Sequence, residues 1–224
     1  MNVRKLWQDL RGEIWWFLQG PYKPKQFWSR WGKTFHLESI QQGIYPEHYW
    51  ILKHIKRLKP KTLLEIGCGF GRNIKFLAKH YQYPLKVTAT DISPSMIKNA
   101  KIFLEDVSFG KYKPELKVAD IVNLPFAKAS FDIVLIHSVI NYVQPPNFEK
   151  ALKQSLKITK KYLILSEEHF ADIKRNRQGF AKANKFTFAY DYQTALGALN
   201  CKIVDYKRVD KTGMDCFLIE KSEH

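Results

Sequence analysis

The chain has 224 residues, 45% hydrophobic and 26% charged, which is enough for one domain with a large core plus a short extension and excludes a disordered chain. A formal net charge of +16 favours anionic partners, whether nucleic acid, lipid head groups or acidic metabolites, but 29 lysines stand against 8 arginines, and Arg is the better bidentate phosphate clamp. The longest apolar runs, such as Ile14–Leu18, are too short to span a bilayer, and charges interrupt the first residues where a signal peptide would be apolar. Three cysteines, Cys68, Cys201 and Cys216, have no metal-ligand spacing, so a reducing cytoplasm is the expected location.

Residues 1–60 read as a helical, aromatic and basic extension. All six tryptophans lie there, and residues 1–61 carry twelve Lys/Arg against four Asp/Glu, half of the total surplus. Val3, Trp7, Leu10, Ile14, Phe17 and Leu18 recur at helical spacing, so the pattern predicts an amphipathic helix over 3–19 that "GPYKP" (20–24) stops. Three readings stand for it: a lid over the rest of the chain, a peripheral membrane contact, or a homodimer contact. A second helix is predicted from Glu47 to Leu58, with Tyr49, Leu52 and Ile55 on one face.

From residue 61 to 224 the pattern alternates. Strands are predicted at 62–66, 85–91, 115–120, 131–136 and 162–167, with helices at 71–81, 93–106 and 147–159. Ser93 as N-cap and Pro94 at N1 mark the second of these helices. A helix over 191–200 leads into strands at 201–209 and 215–221 around the turn "DKTGM", a hairpin in which one strand must run against the rest. The expected fold is α/β: a doubly wound, mostly parallel seven-stranded sheet with an antiparallel C-terminal hairpin strand and helices on both faces.

In "TLLEIGCGFGRN" (62–73) the first strand turns into the first helix through Gly67, Gly69 and Gly71. In an open parallel sheet ligands bind beyond the carboxyl ends of strands, and glycines there let a ligand approach the main chain. Asp91 ends strand two, twenty residues beyond Gly71, where a carboxylate accepts hydrogen bonds from ribose hydroxyls. Asp120 ends strand three, within reach of an adenine amino group, so one nucleoside satisfies three strand ends. A nicotinamide dinucleotide fits less well. Gly71 comes one residue early for G-x-G-x-x-G, and Asn73 follows Arg72 where a small residue is expected.

"LLEIGCGFGRN", "ATDISPSMIKNAK", "VADIVNLPFAKASFDIVLIHSVINYV" and the terminal hairpin, in that order, resemble a class I S-adenosylmethionine-dependent methyltransferase over about residues 45–224. The resemblance implies that Glu65 organises the glycine loop and that Gly67, Cys68 and Gly69 line the methionine portion. It implies Asp91 at the ribose, Ile92 against one adenine face, Asp120 and Ile121 at adenine, and His137 near the methionine amino group and the methyl. Gly71, Asn73 and Met96 complete the expected cofactor-binding set. Tyr45 and Tyr49, upstream of strand one, are further candidates against the methionine carboxylate. The implied reaction is in-line displacement of the methyl group onto an O or N atom of a small, anionic or aromatic molecule. The alternatives are an RNA methyltransferase using the basic surface and a noncatalytic S-adenosylmethionine-binding scaffold subunit. Aminopropyl transfer on the same fold needs paired carboxylates that are not convincingly placed here.

His137, His169 and Tyr142 are the catalytic candidates: the histidines as general bases, the tyrosine as a hydrogen-bond donor. No metal is expected, because Glu168 and His169 are adjacent on a strand and point to opposite faces. Cys68 reads as a packing residue. Two segments are candidate covers for the acceptor: 27–50, and the stretch 169–192, which forms an insertion around 168–190. The second interleaves Lys174, Arg175, Arg177, Lys182 and Lys185 with Phe170, Phe180, Phe186 and Phe188.

Overall fold

The computed structural model describes residues 22–37, 43–169, 180–182, 186–199 and 201–221, with side chains left undescribed at 36 and 180–182. The helix predicted over 3–19 lies outside them, as does most of the basic insertion. Among the described residues no helix is long and apolar enough to cross a membrane.

The strands are β1 (Thr62–Ile66), β2 (Lys86–Asp91), β3 (Glu115–Val118), β4 (Phe131–His137), β5 (Thr159–Glu168), β6 (Phe180–Lys182), β7 (Phe188–Tyr190), β8 (Lys202–Val209) and β9 (Met214–Glu220). The helices are α1 (Pro24–Trp31), α2 (Pro46–Leu58), α3 (Arg72–His80), α4 (Pro94–Phe103), α5 (Pro145–Ile158) and α6 (Tyr192–Ala198), with single 3₁₀ turns at Phe35–Leu37 and Ile140–Tyr142.

Seven strands form one sheet in the order β3-β2-β1-β4-β5-β9-β8, and β6 and β7 form a separate pair. β1 is parallel to β2 and β4, β2 to β3, and β4 to β5. β9 runs antiparallel between β5 and β8, so it is the reversed strand that the hairpin pattern required. Successive residues of a strand face opposite sides. Leu63, Ala89, Ile133 and Leu135 therefore join Ile51, Ile55, Ile74, Leu77 and Ala100 in one core. Leu64, Ile66, Val134 and Ile136 join Ala151, Leu152, Leu163 and Leu196 in the other. The central strands are buried on both faces, which is why they read as unbroken apolar runs.

Several boundaries differ from the sequence reading, each for a local reason. β3 stops at Val118 because Asp120 enters a tight turn, its Oδ1 accepting from Val122 N and its carbonyl from Asn123 N. α5 starts two residues early, with proline at N1 where the missing N–H costs nothing. β5 begins at Thr159, which pairs with Phe131 across a register shift.

The helix α1 was not anticipated. Pro24 sits in its first turn, and α4 receives its carboxyl end. Ser93 Oγ donates to Trp28 O at 3.0 Å, Ser95 Oγ to Ser29 O at 2.7 Å and Asn99 Nδ2 to Gly32 O at 2.7 Å. A side chain at Gly32 would collide with Ser95 and Met96, so glycine is what permits this approach.

Candidate active site

β1, β2, β3 and β4 deliver their carboxyl ends to one cavity. Glu65 to Phe70, Asp91, Ile92, Ala119 to Val122 and His137 to Val139 all line it. Gly67 and Gly69 have φ of +71° and +56°, a region that side chains rarely adopt. A Cβ at Gly67 would run into Val139, so this glycine lets the β4 loop close against the β1 turn. At Gly69 the nearest atom to such a Cβ is Phe35 Cε1 at 4.0 Å, leaving room for a ligand against the main chain.

Two buried carboxylates govern this end. Asp91 Oδ2 accepts from Gly69 N at 3.0 Å and Oδ1 from Ser93 N at 2.8 Å, so it pins the glycine loop to the start of α4. Burial outweighs those bonds and raises its pKa to about 6. A carboxylate has about four lone-pair sites, which leaves it capacity for two hydroxyls. Glu65 Oε1 accepts from Asn73 Nδ2 at 2.6 Å, while its buried Oε2 has no protein partner. Burial lifts its pKa to about 7, against the lowering influence of Asn73 and Arg72.

Asn73 also reaches His137, whose Nδ1 lies 3.1 Å from Asn73 Nδ2 and whose Nε2 lies 3.9 Å from Glu47 Oε1. Burial, with His48 and Arg72 nearby, pushes the His137 imidazole well below its ordinary pKa. It is a neutral ring held between protein groups, and so a weak base. Arg72 lines the cavity, donates Nη1 to Gly43 O at 3.4 Å and lies 5.9 Å over the Tyr45 ring.

The other side of the cavity is aromatic. Trp28, Phe35 and Tyr142 line it, with Val143, Gln144 and Asn147. Trp28 stacks on Trp31 at 5.5 Å and meets Tyr142 edge to face at 4.9 Å and 90°. Phe186, in the insertion, lies 5.0 Å from Phe27 and 6.3 Å from Tyr142 in a near-parallel plane. The two candidate covers therefore touch at Phe27 and Phe186. The Tyr142 turn is held from below by Glu167, whose fully buried carboxylate accepts from the N–H groups of Val139, Ile140 and Asn141.

Of the expected residues, Glu65, Gly67, Cys68, Gly69, Asn73, Asp91, Ile92, Met96, Asp120, Ile121, His137 and Tyr142 line this one cavity. Gly71 does not; its φ of +95° starts α3, and it packs against Leu104. His169 is not among the lining residues either, and its Nδ1 lies 2.6 Å from Asp215 Oδ2, on β9. Tyr45 and Tyr49 are also absent from the lining. Tyr45 lies beneath Arg72, and Tyr49 is 56% exposed beside Phe76. Sequence reasoning passed over Arg72 and Glu167. Arg72 stood inside the quoted glycine motif, but no spacing rule marks Glu167.

Residues 64–164 match the family described as "Methyltransferase domain". Norajmaline N-methyltransferase of Rauvolfia serpentina is 32% identical over 100 residues, 45% of this chain and 32% of that protein. An uncharacterized protein of Methanocaldococcus jannaschii is 30% identical over 142 residues, 58% of this chain and 55% of that one. The chain thus matches about a third to about half of the length of these curated relatives. Among solved structures, the [4+2]-cyclase SpnF superposes with a TM-score of 0.68 at 12% identity, covering 91% of this chain and 98% of that one. Magnesium protoporphyrin IX methyltransferase of Synechocystis, with bound S-adenosylmethionine, superposes with a TM-score of 0.58 at 18% identity, covering 91% and 86%. The structural likenesses carry the fold, and residues 64–164, just under half of the chain, are similar to a methyltransferase domain.

Proposed function

We propose that this protein transfers a methyl group from S-adenosylmethionine to a nitrogen or oxygen atom of a small molecule. The observation that carries the reading is the orphaned Glu65 Oε2, buried beside the glycine turn in a cavity that Asp91 and Asp120 also line. A buried carboxylate oxygen without a donor is costly, and the ammonium group of a bound amino acid satisfies it.

When bound, S-adenosylmethionine supplies a methyl group on a positively charged sulfur. Gly67 and Gly69 open the main chain to the methionine portion, Glu65 receives its ammonium and Arg72 its carboxylate. Asp91 accepts the ribose hydroxyls, while Asp120, Ile121, Ile92 and Met96 enclose the base. His137 acts as a neutral positioning group through Asn73 and Glu65. The protein's contribution is to orient two reactants and exclude water, an effect on the order of 7–11 kcal/mol at best. The aromatic side of the cavity supports a small acceptor. The curated relative named as an N-methyltransferase supports nitrogen, and another named as an O-methyltransferase keeps oxygen open. We take residues 1–60 as a covering extension of a domain spanning 61–224, with the insertion around 168–190 as the second cover. Free thiols at all three cysteines suit a cytoplasmic setting.

Incubation with cofactor labelled at the methyl group and a fractionated cell extract tests the reading. Label is expected in the small-molecule fraction. Asp91→Ala removes both the ribose acceptor and the clamp on Gly69, and is expected to weaken S-adenosylhomocysteine binding at least about a hundredfold. Label appearing in RNA instead would assign an RNA substrate. Tight cofactor binding with label in no fraction would make the chain a noncatalytic binding subunit.

A further inference from the structure

Once a nucleoside is assigned to the ends of β1, β2 and β3, what remains of the cavity belongs to α1, the 3₁₀ turn at 35–37 and the loop after β4. Its walls there are Trp28, Phe35 and Tyr142. Trp28 is perpendicular to both Tyr142 (90°, 4.9 Å) and Phe35 (89°, 5.9 Å). Walls at right angles form a corner in which a flat ring lies on one face and meets the others edge-on, the arrangement that aromatic rings prefer. The corner is braced from behind by Trp31 stacked on Trp28 and Phe186 stacked near Tyr142.

The chemistry of the lining narrows the nucleophile. Among the described lining residues the sole cation is Arg72, at the start of α3 and held to Gly43, so among them no second positive charge faces the corner. The sole imidazole is His137, engaged with Asn73 and suppressed as a base by burial. Burial also raises the Tyr142 phenol, which stays protonated and serves as a donor. A phenol or alcohol acceptor would have to surrender its proton early, and among the described lining residues the carboxylates lie at the nucleoside end, not at the corner. A nitrogen with a free lone pair has no such need.

We infer that the corner formed by Trp28, Phe35 and Tyr142 is the acceptor site for a flat aromatic molecule whose nucleophile is an unprotonated nitrogen, such as an N-heterocycle or an aryl amine. The inference rests on the methyltransferase reading and names its substrate class. The nitrogen lone pair forms the new bond to the methyl carbon, the carbon–sulfur electron pair returns to sulfur, and the positive charge passes to nitrogen. Where nitrogen carries hydrogen, that proton then leaves to water. The aromatic faces stabilise the cation as it forms, which is the service a ring quadrupole offers in a desolvated site.

Calorimetric titration of the full chain, saturated with S-adenosylhomocysteine, compares isoquinoline, aniline, phenol, benzoate and cyclohexanol. Isoquinoline and aniline are expected to bind at least about tenfold more tightly than benzoate or cyclohexanol, and label from the methyl donor is expected on isoquinoline nitrogen but not on phenol. Tyr142→Leu and Trp28→Leu are each expected to weaken isoquinoline at least about tenfold more than they weaken S-adenosylhomocysteine; two positions guard against one variant failing to fold. Saturable S-adenosylhomocysteine binding with benzoate, phenol or cyclohexanol preferred over the nitrogen heterocycle would overturn the acceptor class and leave methyl transfer standing. Absence of S-adenosylhomocysteine binding would overturn the methyltransferase reading and this inference with it.

Discussion

Glu65 lies one residue before the end of β1 and Asp91 ends β2, and burial raises both pKa values, to about 7 and about 6. Because the folded-state pKa of Glu65 lies above its ordinary value of 4.5, the native chain holds an extra proton between about 4.5 and 7. Its contribution to stability is therefore present at low pH and lost as pH rises through that window. A ligand ammonium reverses the preference, since it binds the ionised form. Affinity for S-adenosylhomocysteine is accordingly expected to rise as pH increases from 5.5 towards 7.5, roughly tenfold per pH unit at most for each proton released. Calorimetry in buffers of differing ionisation enthalpy reads the protons directly, and Glu65→Gln is expected to flatten the Glu65 part of the slope. An affinity independent of pH over this range would show that ligand binding does not ionise either group. Cys68, beside them, is pushed well above the ordinary thiol pKa by burial and by both carboxylates, consistent with a packing role.

At the scale of elements, α1 has only eight residues, too few to persist without tertiary partners. Its hold is the set of bonds from Ser93, Ser95 and Asn99 to its carboxyl-end carbonyls. Ser95→Ala with Asn99→Ala removes two of them, at about 1 kcal/mol each. The expected result is faster tryptic cleavage after Arg30 or Lys33, with the urea midpoint of the core little changed. Unchanged cleavage would mean that the aromatic contacts alone hold the helix. This helix also marks where the sequence ceased to be legible. Pro24 was read as the stop of a preceding helix, whereas it opens the next one, and an eight-residue segment carries little periodicity. The segment was nonetheless marked as a cover by its tryptophans. β6 and β7, three residues each, gave no alternation to read. β1, β2 and β4 were legible because burial on both faces leaves contiguous apolar runs, and Asp91 because its place follows from the glycine turn. Glu167 was not, since its partners are backbone N–H groups from a loop 26 to 28 residues away.

On the scale of the whole molecule, β9 joins the parallel half of the sheet to β8. Leu218 is fully buried, pairing with Ile164 on one side and Asp205 on the other. Leu218→Ala is expected to cost about 2–5 kcal/mol, measured in urea by far-UV circular dichroism and by tryptophan emission. Coincident transitions are expected if the sheet and the N-terminal region unfold as one unit; early loss of tryptophan emission would mean that the N-terminal region opens by itself. The alternation of strands and helices announced the parallel sheet, and the closing hairpin announced one reversal. The threading of β9 between β5 and β8 was not announced, because sequence order carries no direct record of spatial neighbours. That threading has a consequence during synthesis. A nascent chain that has emerged only as far as β8 can assemble the four strands around the nucleoside cavity, yet β5 still presents a bare row of amides and carbonyls. Until β9 leaves the ribosome and slots in, that open flank is where a sister polypeptide would pair by mistake, so the final strand is also the chain's safeguard against clumping.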